Sequence, residues 1–110
     1  MNTTNTADIC LDSLLNPDGF LCNPQAWSRE IALALAHQDG LPELTHAHWE
    51  IIQALRDHYD RFGAALPAFS HICHKHHLGK HCVDRLFSSE REAWRIAGLP
   101  DPGEEARAYM

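Results

Sequence analysis

The chain has 110 residues, with 15 acidic side chains against 9 basic ones and a formal net charge of −6. One domain fits that length, and the acidic balance argues against nucleic-acid contact over most of the surface, leaving only a local basic patch for such a role. Met1–Ala7 has neither the basic nor the apolar region of a signal peptide, and no apolar run approaches the roughly 20 residues that cross a bilayer, so a cytoplasmic protein is expected.

The first six residues, MNTTNT, are polar and read as disordered. Ile9–Cys22 holds two short apolar stretches around Asn16-Pro17-Asp18-Gly19, a turn signal that predicts a small β-hairpin. Asn23-Pro24 has the form of a cap followed by proline at the first helical position. Apolar residues at 27, 31, 34 and 35 then keep helical spacing as far as Asp39-Gly40. Thr45 caps a longer helix whose stripe is Ile52, Leu55, Tyr59 and Phe62, ending at Gly63. Pro67 opens a third helix, Gly79 separates it from a fourth, and Ser89 with Glu92 forms a capping box for a fifth over Glu90–Ala97. Pro100 and Pro102 forbid its continuation.

The composition includes 9 histidines and 4 cysteines. So many histidines make the true charge rise as pH falls through about 6.5. In a reducing cytosol the cysteines are expected as free thiols, metal ligands or redox groups rather than structural disulfides. Cys10 and Cys22 flank the hairpin and read as core filling. The densest chemistry is Ser70–Cys82, SHICHKHHLGKHC. There Cys73 and His77 share a helix face, and His81 and Cys82 follow across the Gly79 turn. Two cysteines and two histidines suit Zn²⁺, although the spacing is not that of a standard finger. The same cysteines would instead make a redox pair if their Cα atoms came within roughly 7 Å. The blander alternative is a polar helix–turn–helix surface, whose Lys75, Lys80 and Arg85 leave a weak DNA-binding reading open. His46 and His48 read as solvent-facing or cap-related and Trp49 as core. Neither a nucleophile elbow nor a phosphate loop is present.

The ordered set Pro17-Asp18-Gly19-Phe20-Leu21, Trp27, His48-Trp49-Glu50-Ile51-Ile52, Leu55-Arg56-Asp57 with Tyr59, Phe62-Gly63, Pro67-Ala68, Leu86-Phe87 and Ile96-Ala97-Gly98-Leu99-Pro100 resembles the DsrC/TusE family of sulfur-relay proteins. It covers most of residues 15–102. The resemblance implies a C-terminal arm that carries sulfur on a penultimate cysteine, in some members with a second cysteine earlier on the arm. It also implies partners such as a sulfurtransferase complex, dissimilatory sulfite reductase or a heterodisulfide-reductase-like complex. Here the earlier position is Trp94, the terminal one falls on Glu105, and the only sulfur after Cys82 is Met110. A thioether has no thiolate to become a persulfide.

The expectation is therefore a mainly α (α+β) protein, a compact orthogonal bundle of about five helices with an N-terminal β-hairpin and a flexible C-terminal arm. Residues 1–7 would be disordered, 8–100 the domain and 101–110 the arm. Its role would be that of a binding or regulatory partner of a sulfur-relay or sulfur-oxidation complex, with Trp94, Arg95, Ile96, Gly98, Leu99 and Pro100 as the contact segment. No cofactor is required. The alternatives are a sulfur carrier using Cys73 or Cys82, and a regulator binding Zn²⁺ through Cys73, His77, His81 and Cys82, or binding DNA.

Overall fold

A computed structural model describes residues 13–41, 43–63 and 65–110. After a single 3-10 turn at Pro24–Ala26 come α1 (Arg29–Gln38), α2 (His46–Phe62), α3 (Phe69–Lys75), α4 (Cys82–Phe87), α5 (Glu90–Ile96) and α6 (Glu104–Arg107). Each of the five expected helices has a counterpart. The sixth, Glu-Glu-Ala-Arg after a Pro-Gly pair, is too short to show a period.

Capping chemistry sets the boundaries. Asn23 accepts from the Gln25 N–H at 3.0 Å and Ser28 from the Ile31 N–H at 3.2 Å. Ser89 Oγ accepts from the Glu92 N–H at 3.2 Å and donates to the Glu92 carboxylate. These bonds satisfy donors that the first helical turn leaves open. Thr45 opens α2 in a less usual way, with His48 as its reciprocal partner: the Thr45 N–H donates to His48 Nδ1 at 3.0 Å, and His48 Nε2 lies 2.7 Å from the Leu86 carbonyl. Only a neutral ring with its proton on Nε2 meets both. His48 is buried and ties the start of α2 to α4, so it is a cap, and His46 is the exposed one.

α5 is the centre of the packing and touches α1, α2 and α4, while α3 lies against α2 and α4. Residues 93–99 are all buried. The last turn of α5 and the residues after it therefore lie inside the core, and around them sit Phe20, Leu21, Ile31, Leu35, Ile51, Leu55 and Phe87. The α2 stripe holds at Ile52 and Leu55, with Tyr59 partly covered, but Phe62 is 63% exposed.

The expected hairpin is corrected. Among the described residues there is no strand, only one antiparallel bridge, Leu15 to Leu21. The turn itself forms: the Gly19 N–H donates to the Asn16 carbonyl at 2.9 Å, and Asn16 Oδ1 accepts from the Asp18 and Phe20 N–H groups. Consecutive Phe20 and Leu21 are both fully buried, which breaks the in–out alternation of a strand. The Asn23 cap then diverts the chain. The remainder of the expected hairpin, and Cys10, lie outside the described residues. Cys22 is not core filling, since it is exposed with a free thiol.

The chain ends against this turn. Asn16 Nδ2 donates to Asp101 at 3.0 Å, Arg107 pairs with Asp18 and, at 3.5 Å, with Asp101, and Met110 packs partly against the core. No helix among the described residues is long and apolar enough to cross a membrane.

Candidate functional site

α3 turns Phe69, Ile72 and Cys73 inward, at positions i, i+3 and i+4. It closes with a Schellman arrangement in which the His77 N–H donates to the His74 carbonyl at 3.1 Å and the Leu78 N–H to the Cys73 carbonyl at 2.9 Å. His77 takes the left-handed position usually given to glycine, with φ 58°; Gly79 follows at 84° and His81 at 57°. A side chain in that region costs of order 1 kcal/mol or more. The reversal delivers Cys82, the first residue of α4, beneath Cys73.

Cys73 and Cys82 form a disulfide with their Cα atoms 5.7 Å apart. In the chain-entropy account a loop of about ten residues closed this way contributes roughly 2.5 kcal/mol, which offsets the cost of the left-handed histidines. Both residues are buried, Cys73 at 2% and Cys82 at 0% exposure. The separation meets the condition set for a redox pair. While bonded, the two sulfurs are not available as thiolates for the Zn²⁺ set of Cys73, His77, His81 and Cys82. Among the described residues no three His, Cys, Asp or Glu groups converge to hold a metal. The two helices on either side of the reversal are short, α3 with 7 residues and α4 with 6.

One hollow is lined by Cys73, and a second adjoins the first. A small cleft of about 60 Å³ is lined by Ser70, Cys73, His81, Val83, Asp84 and Glu90. An open groove of about 600 Å³ is lined by Ser70, His74, His77, Gly79, Lys80 and His81. Ser70 and His81 border both. On the acidic side, burial first and Asp84 second lift the Glu90 carboxyl above its ordinary 4.5. The folded state then holds that proton more firmly than the unfolded chain, so the contribution of Glu90 to stability falls as pH rises through the folded value. Glu90→Gln should accordingly be more stable than the parent at pH 7, with the advantage shrinking to nothing once the pH drops below 4.5. Urea midpoints at the two pH values check this, and an advantage independent of pH would rule out the titration as its origin.

The segment expected to contact a partner lies elsewhere. Trp94, Ile96 and Leu99 are core residues at 0, 0 and 1% exposure, Gly98 is buried and Pro100 half-buried. The Trp94 indole donates to the Pro100 carbonyl at 2.8 Å. Arg95, which the sequence offers as a partner-facing charge, is 7% exposed. It donates to the Gly19 carbonyl at 2.8 Å, to Asp39 at 2.6 Å and to the Gln38 side chain. Burial lifts the Asp39 carboxyl above its ordinary value, against the pull of Arg95. Arg56 was not singled out by its sequence position, yet it stacks on Trp27 with its guanidinium carbon 4.2 Å from the ring centroid. It donates to the Ala97 carbonyl at 2.7 Å and to the Pro24 carbonyl at 3.1 Å. The stretch resembling the family's arm is thus built into this core from both sides.

The family model described as "DsrC like protein" matches residues 11–104. The chain belongs to the DsrC-like family. Among its relatives is the sulfurtransferase TusE homolog of Haemophilus influenzae, 32% identical over 96 residues, covering 79% of this chain and 86% of that protein. The sulfurtransferase TusE of Photorhabdus laumondii is 37% identical over 93 residues, covering 76% and 82%. Among solved structures, the oxidized gamma-subunit of the dissimilatory sulfite reductase (DsrC) from Archaeoglobus fulgidus superposes with a TM-score of 0.71 at 36% identity, over 82% of this chain and 89% of that one. A dissimilatory sulfite reductase I structure gives 0.72 at 26% identity, covering 82% and 88%. The mainly helical DsrC-like fold therefore agrees with the resemblance found in the sequence.

Proposed function

We propose that this DsrC-like chain carries sulfur in a relay on Cys73 or Cys82, in company with a sulfur-relay or sulfite-reductase type of complex. The observation that supports this most is the pair itself. Two sulfurs sit within bonding reach beside a cleft, in a chain with no cysteine after position 82. The names of the relatives, sulfurtransferases, point to the same chemistry, and the sulfite-reductase neighbours point to the kind of partner.

A dithiol reductant opens the Cys73–Cys82 bond, and the steps that follow balance without an outside oxidant. In the reduced pair, a cysteine thiolate attacks the outer sulfur of a partner's persulfide. A new S–S bond forms as Cys–S–SH, the donor's S–S bond breaks, and the electron pair leaves on the donor thiolate. An acceptor thiolate repeats the exchange to take the sulfur onward. If the neighbouring cysteine attacks first, hydrosulfide leaves and the Cys73–Cys82 bond forms. The bonded pair is then the discharged state.

Burial of both sulfurs favours a second reading, a role by contact in the same complexes. With Trp94 in the core, the exposed aromatic left to that segment is Tyr109, at 79%. Mass spectrometry of the reduced chain after exposure to glutathione persulfide separates the two. Cys73→Ser or Cys82→Ser should retain one added sulfur on the remaining partner cysteine, while the parent releases sulfide and returns to the disulfide. Absence of added sulfur from both variants and of released sulfide from the parent would leave the contact role.

A further inference from the structure

We propose that the groove formed by Ser70, His74, His77, Lys80 and His81 gathers a small inorganic sulfur anion, hydrosulfide or thiosulfate, and presents it to the Cys73–Cys82 bond. This rests on the sulfur-relay reading above and adds a substrate class and an entry point to it.

Three observations converge. The groove lining contains no carboxylate, in a chain with 15 acidic residues against 9 basic ones. It offers a lysine ammonium, a hydroxyl and three imidazoles, a set of donors suited to an anion. His74 and His81 of the groove are the chain neighbours of Cys73 and Cys82, although neither cysteine lines the groove itself. Ser70 and His81 are shared with the cleft that reaches Cys73. That cleft also carries Asp84 and Glu90, so an anion gathers in the groove and enters the cleft past Ser70 and His81. Finally, the cleft is small. Its volume of about 60 Å³ is room for a few water-sized groups, each of which needs about 10–15 Å³. The single sulfur atom of hydrosulfide, or the terminal sulfur of thiosulfate, is small enough to enter it.

The loading step is a disulfide exchange. Hydrosulfide attacks one cysteine sulfur, a new S–S bond forms as Cys–S–SH, the Cys73–Cys82 bond breaks, and its electron pair stays on the other cysteine as a thiolate. The disulfide is the oxidant and no further redox partner enters. The released thiolate can expel hydrosulfide again by attacking the inner sulfur, so loading is reversible until an acceptor takes the outer atom.

The test uses the oxidised full chain. Reaction with excess hydrosulfide, quenched at intervals with iodoacetamide to trap the persulfide and the freed thiolate, is followed by mass spectrometry, beside reaction with tris(hydroxypropyl)phosphine, an uncharged reductant. The double variant His74→Glu/Lys80→Glu should take up hydrosulfide about tenfold more slowly, as expected for a reversed local field, while its reaction with the phosphine is unchanged. In the parent, sulfate at fixed ionic strength should slow hydrosulfide uptake by competing for the groove. Independently of any reaction, thiosulfate should shift the ring resonances of His74, His77 and His81 in NMR spectra of the parent and not those of the double variant. Equal hydrosulfide rates in parent and variant, equal slowing with the phosphine, or unmoved histidine resonances would each overturn the groove assignment. Absence of persulfide from the parent despite shifted histidines would keep the anion site and remove the carrier reading.

Discussion

Trp94→Ala is expected to cost about 4 kcal/mol of stability, the range for truncating a buried tryptophan. Trp94 has no exposure and lies in the middle of the core cluster. The substitution leaves a cavity bounded by α1, α2 and α4 through α5, and it strands the Pro100 carbonyl that accepts from the indole at 2.8 Å. Small domains have only about 5–15 kcal/mol in total, so a large part of the margin goes, and the thermal midpoint should drop by well over ten degrees. Trp94→Phe keeps most of the volume and loses the donor, and should cost about 1–2 kcal/mol. Urea unfolding of the two variants measures both numbers. A Trp94→Ala protein of nearly parental stability that fails to bind a sulfur-relay partner would return Trp94 to the role the sequence alone suggests for it, a contact anchor.

Gly98→Ala is the second large effect, at about 3 kcal/mol. Two causes add. The φ of 75° is a left-handed conformation, and a Cβ there would stand 2.0 Å from Trp27 Cδ1 and 2.4 Å from its Cγ. Strain alone accounts for about 1 kcal/mol. The rest is overpacking, because the Trp27 ring is held from its other contacts and cannot simply withdraw. Its Nε1–H donates to the Ile96 carbonyl at 3.0 Å, and Arg56 covers its face. Gly40→Ala is the control. Its φ is 84° with nothing within 4 Å of the added carbon, so it should lose only the strain. Equal losses at the two positions would show that the indole yields and that the contact at Gly98 is not rigid.

Both variants fall where sequence reasoning was weakest. The helices α1 to α5 were legible, because periodicity and caps such as Ser89 and Glu92 act within a few residues of one another. The packing of residues 93–99 was not. Trp94 could equally be an interface aromatic or a core residue, since both environments favour a large ring, and Arg95 reads as exposed until its three partners, Gly19, Gln38 and Asp39, are brought to it. Those partners are 56 or more positions away in the chain, beyond any local pattern. The turn at Asn16–Gly19 was read correctly, and the strands beside it were not, because burial of both Phe20 and Leu21 is decided by the rest of the core. For the candidate site, the sequence singles out Ser70 to Cys82 and leaves metal, redox and surface readings open. What brings Cys73 and Cys82 together is a left-handed reversal at 77, 79 and 81, two of whose members are histidines that carry no turn signal of their own.

The single guanidinium of Arg56 joins the 3-10 turn at Pro24, the indole of Trp27 and the carbonyl of Ala97. Residues 24–27 and 96–98 consequently share one lock and should open as one cooperative unit, with matched rates of amide exchange despite the distance between them in the chain. Fraying of the early turn then loosens the segment behind Trp94 as well, and a lysine at 56, with a point charge in place of a planar fork, could hold one of these seams but not all of them.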